Sequence, residues 1–360
     1  MARTRAAVAH EFGKPLVIEE VELGEPGPGE VEVKLAACAI CFSDISYIDG
    51  GWGGTLPAVY GHEASGHIAR LGPGVSGYAE GDRVIVTLLR ACGACPSCAT
   101  GHPATCEAGY DRDRGPLRTV AGGTLHHGLK VGGFAERAVV HQSQIARIPE
   151  TIPLDAASLL SCGVITGIGA VVNTGRVRPG EVVVVIGAGG VGLNAIQGAR
   201  IAGASRIVAV DMTEAKLAAA REFGATDGIL ATGDKPWKRL QEIAGRLADA
   251  VFVTVGAIPA FDAAPRYLGT GGRMVMVGMP HSGAMSSYEP VVIAALSQAM
   301  LGSVMGDTVL KRDIRWMVDL YEQGRLKLDE LISGRWKLDE INEAIADTRS
   351  GAARRNVIVF

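Results

Sequence analysis

Like charges never gather in this 360-residue chain: it contains no block of five or six acidic or basic residues, and 35 Lys and Arg against 38 Asp and Glu leave a net charge of −3. Such a balance offers no electrostatic footprint for nucleic acid or an anionic membrane, so neither is expected as a partner. Long apolar runs are lacking too. The most apolar stretch, Val182 to Leu193, is broken by four glycines and falls short of the roughly 20 residues a membrane helix needs. The beginning of the chain reaches Glu11 and Lys14 before an apolar segment develops, so a secretory leader is not expected and a cytoplasmic location is. Internal repeats and low-complexity linkers are also missing. The length predicts two domains, and without a tether they are expected to pack on each other.

What is present changes in texture along the chain. From Val8 to about Pro149, short strands are cut by glycine and proline, as in the alternating Val31 to Leu35 and in Asp82 to Val86 after Gly81; this half is expected to be mostly β. After about Leu154, continuous apolar runs recur at Val182–Ile186, Arg206–Val210, Ala250–Val255 and Arg273–Val277, separated by alanine-rich segments long enough for helices. That pattern predicts a parallel sheet covered on both faces. An amphipathic helix near Asp313 to Gln323 and a final apolar strand, Asn356 to Phe360, complete the chain. Periodicity leaves open whether this tail closes the sheet domain or returns to the first one.

Directly after the run Val182–Ile186 comes Gly187-Ala-Gly189-Gly190-Val191-Gly192, followed by a plausible helix. In that setting a G-x-G-x-x-G reads as a dinucleotide fingerprint: Gly187 permits the tight turn, Gly189 lets the backbone approach a pyrophosphate, and Gly192 lets helix and sheet pack closely. The helix N-terminus supplies the anion site. Asp211, nineteen residues past Gly192, can accept hydrogen bonds from ribose hydroxyls and would repel a 2′-phosphate, which favours NAD over NADP. The plain alternative for Asp211 is an N-cap for the helix beginning near Thr213.

Seven cysteines in a reducing compartment are expected to stay thiols. Four of them, Cys92, Cys95, Cys98 and Cys106, form C-x2-C-x2-C-x7-C, which suits the closed tetrahedral site of a structural zinc. Cys41, His62, Glu63 and Cys162 are scattered, and a lone histidine in a turn such as Gly61-His62-Glu63 is more often a surface or core histidine than a ligand. Together, Cys41, His62 and Cys162 offer two thiolates and one imidazole, a donor set that leaves one zinc position open for a substrate.

The order Cys41-Phe-Ser43-Asp44, Gly61-His62-Glu63, the four-cysteine loop, Ser161-Cys162-Gly-Val-Ile-Thr166-Gly and the glycine loop resembles that of the zinc-dependent alcohol dehydrogenases of the medium-chain dehydrogenase/reductase superfamily. The likeness extends over essentially the whole chain, including His126-His127 and Arg355 to Phe360. It implies an α/β plus β fold, with a GroES-like catalytic domain at 1–163 and 305–360 and an inserted Rossmann NAD-binding domain at 164–304. The tail then returns to the catalytic part. It also implies two zinc ions per subunit and a small-molecule alcohol or aldehyde as substrate.

Carried over by motif, Cys41, His62 and Cys162 hold the catalytic zinc, with Glu63 as an occasional ligand or supporting carboxylate. Asp44 orients His62 and pairs with Arg355, which also serves the cofactor. Ser43 accepts the substrate hydroxyl proton, Thr166 borders the nicotinamide, and Lys216 joins Asp211 at the adenosine ribose. A homodimer built by pairing the last Rossmann strand, around Met300 to Val304, is implied as well, with a homotetramer as the alternative.

Departures from the resembled pattern carry expectations of their own. Phe42 stands where many relatives place Arg or His against the pyrophosphate, and Ser46 where many have a histidine that relays the proton. Tyr110, with Arg112 and Arg114 nearby, occupies the place of an Arg in the branch that oxidises a formaldehyde–glutathione adduct. Trp52 and Leu88 are candidates for the pocket wall or, equally, for the core. The competing readings are dehydrogenation of a formaldehyde adduct with a low-molecular-weight thiol, a non-catalytic NAD-binding structural protein, and a zinc-free enone reductase, which would lack both cysteine sets.

Overall fold

Alternation at Val31, Val33 and Leu35 begins a strand that runs further than its sequence pattern, over Glu30–Ala39, because Ala37, Cys38 and Ala39 are small enough to continue into the core. The computed structural model describes residues 2–110 and 115–360. Within these, the chain divides into one unit comprising 1–162 and 309–360 and another comprising 163–308.

In the first unit, Glu30–Ala39 is the hub of a seven-stranded sheet. It pairs antiparallel with Glu63–Leu71, Arg137–His141 and Arg355–Val359. Ala39 lies opposite both Glu63 and Val357, so Cys41, His62 and Arg355, each just beyond a paired position, emerge at one end of the sheet. The tail therefore returns to this unit. A second sheet of five strands is built on Ala2–Ala9 paired with Val17–Leu23.

The second unit is a six-stranded parallel sheet. From edge to edge it runs Asp227–Leu230, Arg206–Asp211, Val182–Ile186, Ala248–Val253, Leu268–Met276 and Ala299–Gly302. All five residues of Val182–Ile186 are buried, as a strand covered by helices on both faces requires. The order reverses direction between Val182–Ile186 and Ala248–Val253, the switch point at whose carboxyl ends open α/β sheets bind ligands.

The second junction falls at Thr308 rather than at residue 304 because 305–308 packs on the helical segment after Gly163. Gly306 sits so close that a Cβ there would lie 2.3 Å from the Ile165 carbonyl. Asn173 Nδ2 donates to the Gly306 carbonyl at 3.1 Å, and Thr308 Oγ1 donates to that of Met305 at 2.7 Å. Among the described residues no single helix is long and apolar enough to cross a membrane.

Candidate active site

Strand pairing alone delivers Cys41 and His62 to the same edge; Asp44 then locks them together. Its carboxylate accepts from the Cys41 backbone N–H (3.1 Å), the Gly61 N–H (2.9 Å) and His62 Nδ1–H (2.9 Å), and all of this is buried. Gly61 can make the turn because its φ is +89°, and a Cβ there would lie 2.5 Å from the Phe134 nitrogen. Cys162 joins from the other side, where the neighbouring Ser161 hydroxyl donates to the Ala64 carbonyl at 2.9 Å. The result is a buried group of Cys41, His62, Glu63 and Cys162 whose ligand atoms all lie within 4.8 Å of one another.

These residues fit a metal ion on their own chemistry. His62 Nε2 and Glu63 Oε1 are buried without a hydrogen-bonding partner, a cost that buried polar atoms rarely bear. With Nδ1–H donated to Asp44, the free lone pair is the one a metal takes. The two thiols compete for one negative charge: the Cys162 thiol donating to it, with His62, holds Cys41 well below the usual thiol range despite burial, while the same contact and burial push Cys162 well up. A divalent cation lets both ionise. Burial disfavours charge on His62, but Asp44 outweighs it and raises the imidazole well above its ordinary value; a metal ion at Nε2 would displace that proton.

Cys92, Cys95, Cys98 and Cys106 form a second group within the same 4.8 Å limit, and no cysteine is disulfide-bonded. Backbone N–H groups point at their sulfurs: Cys95 N and Ala94 N at Cys92, Cys92 N at Cys106, and Cys98 N and Glu107 N at Cys95, all at 3.3–3.5 Å. The donors from Glu107 and Cys98 lower Cys95 to about 6. Such N–H···S bonds favour thiolate, the form that binds zinc.

In the second unit, Gly187 has φ +97° and Gly192 lies against it, so that a Cβ on Gly192 would stand 1.8 Å from the Gly187 carbonyl. Gly189 faces open space, with nothing within 4 Å of where a Cβ would stand, and caps the helix Gly190–Ile201. Two anchors of this loop escaped the sequence pattern. Thr254 Oγ1 donates to the carbonyls of Ile186 and Gly187 at 3.0 and 2.8 Å, and the Ala188 N–H donates to Asp211 Oδ2 at 2.7 Å.

The Alcohol dehydrogenase GroES-like domain family matches residues 27–150, and the Zinc-binding dehydrogenase family matches 190–323. The NDMA-dependent alcohol dehydrogenase of Amycolatopsis methanolica is 36% identical over 367 residues, covering 99% of each chain. The chain belongs to the zinc-dependent alcohol dehydrogenases of the medium-chain superfamily. Among solved structures, the benzyl alcohol dehydrogenase of Acinetobacter calcoaceticus superposes with a TM-score of 0.94 at 30% identity over 100% of both chains. A zinc-binding dehydrogenase from Sinorhizobium meliloti 1021, bound to NADP, gives 0.84 at 27% identity, again over 100% of both. Alcohol dehydrogenation with zinc and a nicotinamide cofactor is thus this protein's activity, and neither the thiol-adduct nor the non-catalytic reading is favoured.

Several details of the dehydrogenase correct the expectations. Arg355 pairs with Glu63, not with Asp44: its Nη2 donates to Glu63 Oε2, while Asp44 accepts from Cys41, Gly61 and His62. Burial pushes Glu63 up to about 7, against the opposing pull of Arg355. The cap of the helix Glu214–Phe223 is Thr213, whose hydroxyl accepts from Lys216 N at 3.3 Å, which leaves Asp211 to the glycine loop. Phe42 opens the helix Phe42–Ile48 and is 59% exposed. Ser43 and Ser46, one turn apart in that helix, are half-buried. Leu88 packs on the core, and Trp52 lies edge-on to Tyr47 at 5.4 Å. Arg112 and Arg114 lie outside the described residues.

His127 offers no route for a proton to water. It is buried, Nε2–H donates to the Val131 carbonyl at 2.6 Å and the Tyr110 hydroxyl donates to Nδ1 at 2.5 Å. Burial lowers its pKa to about 4. Since an unfolded histidine takes up a proton near 6.5, this group's contribution is complete above that value and is lost as pH falls toward 4, a change of about 3 kcal/mol. Urea unfolding at pH 7 and pH 4.5 is expected to show a smaller acid loss in His127→Gln than in the parent; equal losses would contradict the assignment.

Proposed function

We propose that the protein is an NAD-dependent alcohol dehydrogenase with two zinc ions per subunit, one catalytic and one structural. The observation that carries this reading is the buried pair of unpartnered acceptors, His62 Nε2 and Glu63 Oε1, facing two thiols. Cys41, His62 and Cys162 hold the catalytic zinc, with Glu63 alongside as an occasional ligand, and Asp44 fixes the His62 ring. Zinc bound there supplies Lewis-acid polarisation of the alcohol oxygen, and NAD supplies a hydride acceptor. Ser43 accepts the hydroxyl proton at its Oγ and passes its own hydroxyl proton outward to water. Thr166 borders the nicotinamide. Cys92, Cys95, Cys98 and Cys106 close around the structural zinc.

The amides of Gly187, Gly189, Gly190, Val191 and Gly192, at a helix N-terminus, suit a pyrophosphate. Asp211 presents a carboxylate at the end of its strand with Lys216 in the following helix, which suits ribose hydroxyls rather than a 2′-phosphate. With its buried partner Glu63, Arg355 supports the metal group rather than serving as a direct cofactor ligand. The thiols without disulfides are in keeping with a cytoplasmic protein.

Benzyl alcohol heads the substrate panel because a similar structure carries that activity in its name, and NDMA is added as acceptor for the same reason. Primary, secondary and aromatic alcohols and thiol–formaldehyde adducts should be ranked by kcat/KM with NAD, with and without NDMA. An alcohol should lead. A thiol–formaldehyde adduct outranking every alcohol would overturn the reading.

We further propose a homodimer, with a homotetramer as the alternative. Ala299–Gly302 is an edge strand, and Val304, just past it, is exposed. A bare apolar edge invites pairing with a copy of itself. Light scattering at micromolar concentration should give at least twice the monomer mass; the monomer mass would refute pairing.

A further inference from the structure

On the catalytic unit, away from the metal ligands, the helix Leu310–Glu322 and the strand Ile145–Arg147 with its following residues border a groove of about 520 Å³. That volume is within the range that accepts a small organic molecule. Its apolar side comes from Ile148, Pro149, Ile314 and Val318. Positions 311, 314, 315 and 318 share one helix face, so the helix contributes cations and apolar side chains to the same groove.

The charge there is one-sided. Arg147 pairs with Asp82 and donates to the Gly77 carbonyl at 3.0 Å. Lys311 and Arg315 meet no carboxylate at ion-pair distance among the described residues, whereas Arg312, between them, is taken up by Asp313 at 2.5 Å. Like charges four residues apart on a helix oppose each other by a few tenths of a kcal/mol, and among the described residues no carboxylate lines the groove to offset them. The Tyr78 ring lies near both cationic sides of the groove, with Lys311 Nζ at 5.4 Å and the Arg147 guanidinium at 5.6 Å from its centroid. Its hydroxyl donates to the Ile145 carbonyl at 3.0 Å, which fixes the ring.

We infer that this groove binds a small organic anion with an apolar body, its head group meeting Lys311 and Arg315 and its body lying along Tyr78, Ile148, Ile314 and Val318. A bare inorganic anion would leave the apolar side unused. A neutral molecule of the same shape would leave both cations unpaired.

Titration calorimetry on the zinc- and NAD-loaded full chain tests this with octanoate, octanamide and inorganic phosphate as probes. A carboxylate can also reach a dehydrogenase active site, so the decisive comparison is between the parent and Lys311→Ala/Arg315→Ala. Octanoate should bind the parent about tenfold more tightly than the double variant, and Arg315→Glu should weaken it as well, while benzyl alcohol turnover stays the same in all three. Octanamide and phosphate should bind at least tenfold more weakly than octanoate. Equal octanoate affinity in parent and double variant would overturn the site, even if octanoate inhibits turnover. Phosphate or octanamide matching octanoate would overturn the ligand class.

Discussion

Cys41→Ser is expected to lose turnover by roughly a thousandfold or more, since Lewis-acid stabilisation is worth several kcal/mol and each 1.4 kcal/mol is about tenfold. The zinc proposed for Cys41, His62 and Cys162 should go with it. The fold should suffer less, because Cys41 follows the strand Glu30–Ala39, whose pairing with Glu63–Leu71 and Arg355–Val359 does not need the metal. Cys98→Ser should behave in the opposite way. The cysteine loop has little else to order it: Cys92 is exposed and the other three are only half-buried. Removing one thiolate should shed the structural zinc and lower the melting temperature. Metal analysis and thermal melts on both variants check the assignment, and Cys98→Ser with unchanged zinc and melting would contradict it.

NAD should be preferred over NADP by on the order of a hundredfold in kcat/KM, because a 2′-phosphate beside Asp211 is a like-charge contact costing several kcal/mol. The parent's carboxylate is also engaged with the protein, accepting from Ala188 N and Met212 N at 2.7 Å each. Asp211→Ser should therefore do two things: narrow the ratio between the cofactors and raise KM for NAD as the glycine loop loses an anchor. Asp211→Asn, which keeps an acceptor for Ala188 but no charge, should narrow the ratio with a smaller rise in KM for NAD. Initial rates with both cofactors measure this, and a parent that uses NADP as well as NAD would sink it.

The glycine loop is legible in the sequence because its chemistry is local: Gly187, Gly189 and Gly192 directly follow the apolar run Val182–Ile186 and precede a helical segment, the setting in which that spacing reads as a nucleotide turn. The same holds for Cys92 to Cys106. Cys41, His62 and Cys162 are legible as a donor set but placed together only through resemblance, since their nearness comes from strand register and from the Ser161–Ala64 hydrogen bond, neither of which leaves a periodic trace. The partner of Arg355 differs from the expected one for a related reason. Asp44 and Glu63 both flank the ligands in sequence, and only the accounting of hydrogen bonds shows that Asp44 accepts from Cys41, Gly61 and His62 while Glu63 receives Arg355. Thr254 carries no motif and Ala188 fills a variable position of the glycine pattern, so their part in holding the loop shows only in their hydrogen bonds. The strand Glu30–Ala39 extends past its alternating pattern because small buried residues have no periodicity to read.

The central claim is that turnover depends on the metal held by Cys41, His62 and Cys162. Its most direct test is to strip zinc from the purified chain with a chelator and follow metal content and oxidation of the best alcohol of the panel together as zinc is titrated back, in the parent and in His62→Ala. The account predicts that the parent loses turnover as the zinc is removed and regains it with about one equivalent, whereas His62→Ala stays inactive even though its structural site refills. Oxidation that persists in the parent without zinc, or that returns in His62→Ala on zinc addition, would contradict it.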